Sequence, residues 1–247
     1  VNVIARTAVD RVDTGANLGA TVHYRQGDSD EDRTAYGEVV LAAIGRVPNT
    51  DADWFRSSGL KLDERGYVTV DGYGRTNLDG VWALGDITPG HALAHRAFEQ
   101  GITIAEKIAG ADPKPVLDDT VPQVVFSFPE AASVGLTLDQ AKAREDVVEP
   151  KETAYPMLSN ARMLMSGEGG SMTVVSGAFA NNPDMQVVLG VHIVSPIASD
   201  LIAEAEQLVG NRVPLADAAR LIHPHPTFSE TLGEALLKAD GRPLHTR

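Results

Sequence analysis

Apolar positions along the chain change texture near residue 50. Before it they come as short runs between polar turns. Val1, Val3 and Ile4 begin one strand pattern, and residues 20–25 alternate as a second. Residues 39–44, Val-Val-Leu-Ala-Ala-Ile, form an unbroken apolar run that predicts a buried strand. A polar turn, Gly27-Asp28-Ser29-Asp30-Glu31-Asp32, separates the last two. No crossover helix is predicted, so residues 1–50 read as a small β meander attached to something larger.

Gly45-Arg46-Val47-Pro48-Asn49 is turn chemistry that ends the apolar run. Residues 51–80 read as loops and short strands, the clearest at 67–70. Residues 81–84, Val-Trp-Ala-Leu, predict a buried strand running into Gly85-Asp86. Residues 93–110 carry a helical period with Ile102, Ala105 and Ile108 on one face. Gly110 stops the pattern, and Pro113 and Pro115 lie beyond. Residues 113–122 read as a linker. After it, residues 124–126, 172–176 and 187–194 predict antiparallel strands. Helices are predicted at 137–144, 159–165, 199–209, 215–221 and 228–239. The second half is therefore an α+β domain with an antiparallel sheet.

Composition narrows the chemistry. The 247 residues suffice for one large domain or two small ones, and no apolar run approaches the roughly 20 residues that span a bilayer. The first ten residues have no basic stretch followed by an apolar one, so no signal peptide is read and a cytoplasmic location is expected. A net charge of −13 argues against nucleic acid as a partner. With no cysteine, the chain itself supplies no disulfide, thiolate nucleophile or Cys-based metal site, and no metal is expected. It begins at Val1 inside a strand pattern, and reads as N-terminally incomplete.

The most chemically charged segment is His223-Pro224-His225-Pro226-Thr227-Phe228-Ser229-Glu230. Each proline restrains the backbone and pushes the preceding histidine toward extended geometry. A helix starting at Thr227 places Glu230 one turn in, close enough to set the tautomer of an imidazole. A general acid–base is built this way. Yet Thr-x-x-Glu is also a helix capping box, and both readings of Glu230 stay open. Elsewhere, a strand ending in Gly85-Asp86 offers a carboxylate at a sheet's carboxyl edge, where ligands of open α/β sheets bind. It also reads as a plain strand-to-turn junction. The helix beginning near Leu93-Ala94-His95 presents backbone N–H groups and a positive dipole end. His95 by itself reads as a capping or core histidine, Gly45-Arg46 as a tight turn, and the methionines of Ser159-Asn160-Ala161-Arg162-Met163-Leu164-Met165 as packing.

Taken in order, these motifs resemble the flavin-dependent pyridine nucleotide-disulfide oxidoreductases. "AAIGRVPNT" is similar to that family's join between NAD- and FAD-binding domains, and "RTNLDGVWALGD" to its second FAD motif. "LAHRAFEQG" resembles the helix whose N-terminus meets the flavin, and "VPQVVFSFPEAASVGLT" the start of the dimerisation domain. "SNARMLM" and "HPHPTFSE" complete the series, and the doubled histidine favours the lipoamide branch. Gln100 stands where an acidic residue is common, and Ser127 where threonine is usual.

The resemblance implies three segments. Residues 1–50 would be the end of the NAD-binding domain, 51–118 the last segment of the FAD-binding domain, and 119–247 the interface domain. The fold class is then an α+β interface domain preceded by partial α/β segments. Implied cofactors are FAD and NAD in the whole enzyme, with Gly85, Asp86, Leu93, Ala94, His95, Gly45 and Arg46 on the cofactor side. Implied catalytic residues are His225 and Glu230, with His223 assigned to loop structure. Implied partners are a second copy, which would carry the flavin and a cysteine pair opposite His225, and the lipoyl domains of 2-oxo acid dehydrogenase complexes. Two alternatives remain: a dimerisation module without activity, and a quinone or other disulfide reductase of the same superfamily. Residues 1–118 are expected to expose unpaired edges and apolar faces, and residues 119–247 to be compact.

Overall fold

The computed structural model describes residues 1–15 and 19–246. The chain divides into two compact units, Val1–Val47 and Pro48–Arg247. The first is an antiparallel meander of β1 (Thr7–Thr14), β2 (Ala20–Gln26) and β3 (Arg33–Gly37) in that spatial order. β2 lies where alternation places it. β1, however, begins at Thr7, and Val1, Val3 and Ile4 are exposed before it. The run at 39–44 departs further from expectation. It joins no sheet, and Val39, Leu41 and Ile44 face solvent. Apolar sequence becomes strand only where another strand satisfies its N–H and C=O groups. No described strand does so here.

The second unit opens with α1 (Asp53–Ser57) and a small core of Phe55, Val68 and Ala83. The strands expected at 67–70 and 81–84 survive as single bridges, Leu62 to Val68 and Arg75 to Trp82. Local turns compete with longer ladders here. The Asp63 carboxylate accepts the Arg65 and Tyr67 amides, and Asp71 accepts those of Tyr73 and Arg75. α2 (Ala94–Ile108) forms as the period predicts, but it buries a different face. Arg96, Thr103 and Ile104 point inward, whereas Ile102 and Ile108 are exposed. An ion pair and a close approach set that choice. Arg96 Nε donates to Asp118 at 2.7 Å, and Ile104 lies over Gly74. The segment read as a linker is thus tied to α2 through Asp118.

The remainder runs β4 (Gln123–Val125), β5 (Glu130–Gly135), α3 (Leu138–Ala143), β6 (Val147–Pro156), α4 (Ala161–Ser166), β7 (Ser171–Phe179), β8 (Asn182–Ser195), α5 (Ala198–Gly210), α6 (Leu215–Ala218) and α7 (Glu230–Ala239). The strands form one antiparallel sheet in the order β4-β5-β8-β7-β6. β7 and β8 are central and buried on both faces, which explains their continuous apolar runs. α5 packs over β5 and β8, and α7 over β6 and β7. Val174, Val191, Ile193, Leu232 and Leu236 are buried in this main core. Neighbouring strand residues point to opposite faces, so Val175 joins a second cluster with Ala141 of α3, Val147 and Leu189. α3 therefore covers the other face. Its N-terminus carries a full capping box between Thr137 and Gln140. α5 is capped from a distance: the Glu130 carboxylate of β5 accepts the Ser199 amide at 2.9 Å. That bond, with the Ser199 side chain, holds the Glu130 carboxyl below its ordinary range. α6 ends at Ala218, shorter than the expected 215–221. No described helix is long and apolar enough to cross a membrane.

Gly135 (φ +80°) and Gly190 are register partners where β5 meets β8. A Cβ on Gly190 would fall on the Leu136 carbonyl oxygen, and one on Gly135 on the Leu189 carbonyl oxygen. Gly190→Ala is predicted to destabilise the domain by about 1–3 kcal/mol, the usual cost of overpacking a rigid core. Thermal melts check this; an unchanged midpoint would mean the two backbones separate freely.

Candidate active site

The loop between α6 and α7 carries the His-Pro-His-Pro segment. Its closure begins locally: Thr227 Oγ1 donates to the Pro224 carbonyl at 2.6 Å, and the Thr227 and Ser229 hydroxyls are 2.9 Å apart. The His225–Pro226 peptide is cis. A neighbouring helix then grips the loop. Asn160 Oδ1 caps α4 by accepting the Met163 amide at 3.1 Å, while Nδ2 donates to the Thr227 carbonyl at 3.1 Å. From the same helix the Arg162 guanidinium lies 5.3 Å from the centre of the Phe228 ring, within cation–π range.

Helix α7 starts at Glu230, three residues later than Thr227. Its first carboxylate therefore reaches back over the loop. Oε2 accepts the Thr227 amide at 2.7 Å, and Oε1 lies 2.9 Å from His225 Nδ1. Glu230 thus reaches both the Thr227 amide and the imidazole, each with a different oxygen, but the expected capping box does not form: Ser229, not Thr227, is the N-cap of α7, and no side chain caps it. Burial pushes the Glu230 carboxyl up. The Thr227 amide and the His225 imidazole together outweigh that and hold it below its ordinary 4.5. With a carboxylate on Nδ1, the proton belongs on Nδ1 and the lone pair on Nε2. The His225 side chain is 69% exposed against 20% for Glu230, so the ring is accessible while its partner is sheltered. Such a ring can accept a proton from a substrate and return it.

His223 points the other way. Its side chain is 9% exposed, and Nε2 lies 2.8 Å from Glu204 Oε1 of α5. The hydrogen bond to Glu204 raises its basicity, against the opposing effect of burial.

Gly85, Asp86, Leu93, Ala94 and His95 lie in a second part of the Pro48–Arg247 unit. Gly85 has φ +72°, opens a 3-10 turn through Ile87, and donates its amide to Gln100 Oε1 at 2.9 Å. A Cβ there would press on Ala97 at 3.3 Å, so the turn sits directly against α2. Gln100 thus serves there as a neutral acceptor. Asp86 follows and is exposed. Leu93 precedes α2 without a side-chain cap bond, which leaves the first-turn amides of Ala94 and His95 to other acceptors. The His95 ring is occupied: Nε2 is 2.7 Å from the Pro122 carbonyl. Gly45 (φ +122°) and Arg46 lie in the separate N-terminal unit, in an irregular segment after β3. Two contributors escaped sequence reasoning. Asn160 sits in a quoted motif, but nothing in it signals a double grip. Glu204 lies on the expected helix at 199–209, and no local pattern links it to His223.

Comparison with known proteins gives a consistent answer. The family model "Pyridine nucleotide-disulphide oxidoreductase" matches residues 1–101, and "Pyridine nucleotide-disulphide oxidoreductase, dimerisation domain" matches residues 121–236. A dihydrolipoyl dehydrogenase of Cupriavidus necator is 40% identical over 96% of this chain and 48% of its own length. One from Geobacillus stearothermophilus is 38% identical over 99% of this chain and 49% of its length. The crystal structure of LpdA from Mycobacterium tuberculosis superposes with a TM-score of 0.82 at 30% identity, covering 94% of this chain and 48% of that one. The chain spans about half the length of the curated relatives it matches.

The lowered Glu230 carboxyl makes a pH prediction. A group whose folded value lies below its unfolded value stabilises the fold above the unfolded value, and this is lost as pH falls through the folded one. The difference in melting temperature between the native chain and Glu230→Gln is therefore expected at pH 7, and should close below pH 4.5, the ordinary value. A difference independent of pH would mean that the Glu230 charge contributes nothing to these contacts.

Proposed function

The chain belongs to the pyridine nucleotide-disulphide oxidoreductase family, and on that premise we propose that it is the C-terminal part of a dihydrolipoamide dehydrogenase. The enzyme would convert dihydrolipoamide and NAD⁺ to lipoamide and NADH. The segments would be 1–50 from the NAD-binding domain, 51–118 from the FAD-binding domain, and 119–247 for dimerisation. The observation that carries the proposal is the His225–Glu230 hydrogen bond on an accessible imidazole.

In this reading His225 Nε2 takes the proton of a substrate thiol. The resulting thiolate attacks a disulfide held by the second subunit of a homodimer. Glu230 keeps the other ring nitrogen protonated and stabilises the imidazolium that forms. The exposed apolar side chains Phe126, Phe128, Leu221 and Ile222 of the same unit support association through this domain. Asp86 and the amides of Ala94 and His95 would hold FAD, and the geometry fits that group. Gly85 turns the buried backbone tightly with positive φ, a carboxylate able to accept a hydroxyl follows it, and uncapped helical N–H donors suit an electron-rich ring edge. When bound, FAD and NAD supply the route for the two electrons. Gly45 and Arg46 would lie at the join of the two nucleotide-binding domains. Lipoyl domains of 2-oxo acid dehydrogenase complexes are the proposed source of the dithiol.

In the intact enzyme, His225→Gln is expected to lower dithiol oxidation at least ~100-fold, the low end for a general base, while flavin stays bound. The check is NADH formation at 340 nm beside the flavin spectrum. Unchanged turnover would sink the acid–base assignment.

A further inference from the structure

The loop that presents His225 is fastened on both sides. On its C-terminal side stand Glu230 and Asn160, already described. On its N-terminal side the anchor is His223, two residues before His225, which reaches the α5 carboxylate of Glu204 at 2.8 Å. The far side of this ring rests on α7. A Cβ added to Gly233 would lie 2.6 Å from His223 Nδ1 and 2.9 Å from Cε1. Gly233 does not have the positive φ that would itself call for glycine, so the space it leaves belongs to the imidazole. The charged groups acting on His223 are Glu204 from α5 and Glu230 from α7. Both are carboxylates, and both favour its protonated form.

We propose that His223, seated in the notch of Gly233 and bonded to Glu204, is a positioning residue that fixes the backbone from which His225 reaches its substrate. This rests on the acid–base role of His225 argued above. His223 touches no reacting atom: its Nε2 is committed to Glu204 and its side chain is nearly buried. Its effect passes through two residues of proline-restrained backbone, so a shift of the anchor is carried to His225 with little slack. Misplacing a catalytic group by about 1 Å can cost up to 100-fold in rate, which sets the scale of the expected effect.

Three variants test it: His223→Ala, Glu204→Gln and Gly233→Ala. The last alters neither the histidines nor Glu204. It improves helix propensity in α7 while pushing the His223 ring out of its notch. In the intact enzyme each is expected to lower kcat for dihydrolipoamide about 10-fold, with flavin content retained. Gly233→Ala should lose rate without losing melting temperature, a combination that generic destabilisation does not produce. His223→Ala combined with Glu204→Gln should lose no more than either alone, because both break one contact. The second readout is the ¹⁵N spectrum of the His225 ring, recorded on this chain without substrate. The variants should shift His225 away from the single Nδ1–H tautomer that Glu230 enforces. A ring spectrum identical to the native one in all three variants overturns the positioning role, whatever their turnover. A shifted ring spectrum in variants of an enzyme that His225→Gln leaves fully active would uphold the positioning and overturn the acid–base reading instead.

Discussion

One carboxylate governs the geometry of the loop. Glu230 opens α7 and spends one oxygen on the Thr227 amide and the other on the His225 imidazole. The first residue of α7 therefore fixes both the backbone of the loop before it and the orientation of the histidine. α7 in turn packs over β6 and β7 and buries Leu232 and Leu236 in the main core. The ring's direction is thereby tied, through α7, to the packing of the domain.

This coupling explains why so much of the site was legible in the sequence. The prolines, the threonine and the glutamate are contiguous, and the spacing that makes a capping box also brings the carboxylate to the histidine. Sequence left Glu230 open as cap or partner; its two oxygens reach the Thr227 amide and the His225 ring, while Ser229 takes the N-cap position. The double use depends on α7 starting at Glu230 rather than at Thr227, a shift no pattern announces. Glu204 is illegible for another reason. Nineteen residues separate it from His223, and only the packing of α5 beside the loop makes them neighbours.

The fold was legible where burial is two-sided and obscure where it is partial. β7 and β8 advertise themselves because both faces are apolar. β6 hides: of its ten residues only Val147 and Tyr155 are buried, among lysine, glutamates and two prolines. β5 hides because its residues are small. The exposed run at 39–44 and the turned face of α2 mark the limit of periodicity. Periodicity says that a surface is apolar, and the surrounding structure says whether it is covered. Ile104 and Arg96 won the inner face of α2 through one glycine and one ion pair, neither of which enters a helical wheel.

Asn160 carries a consequence for how such a sequence can drift. Its oxygen closes the start of α4 and its nitrogen holds the Thr227 carbonyl, so the position needs an acceptor and a donor on one short planar group. Aspartate offers no donor, serine and threonine have one oxygen to serve both tasks, and glutamine is a methylene too long for the cap. Asparagine meets both demands with two separate atoms. Its exposed neighbours Leu164 and Met165 carry no such double demand. Variation across descendants of this chain should thus be steep along α4, frozen at one residue and free within a turn of it.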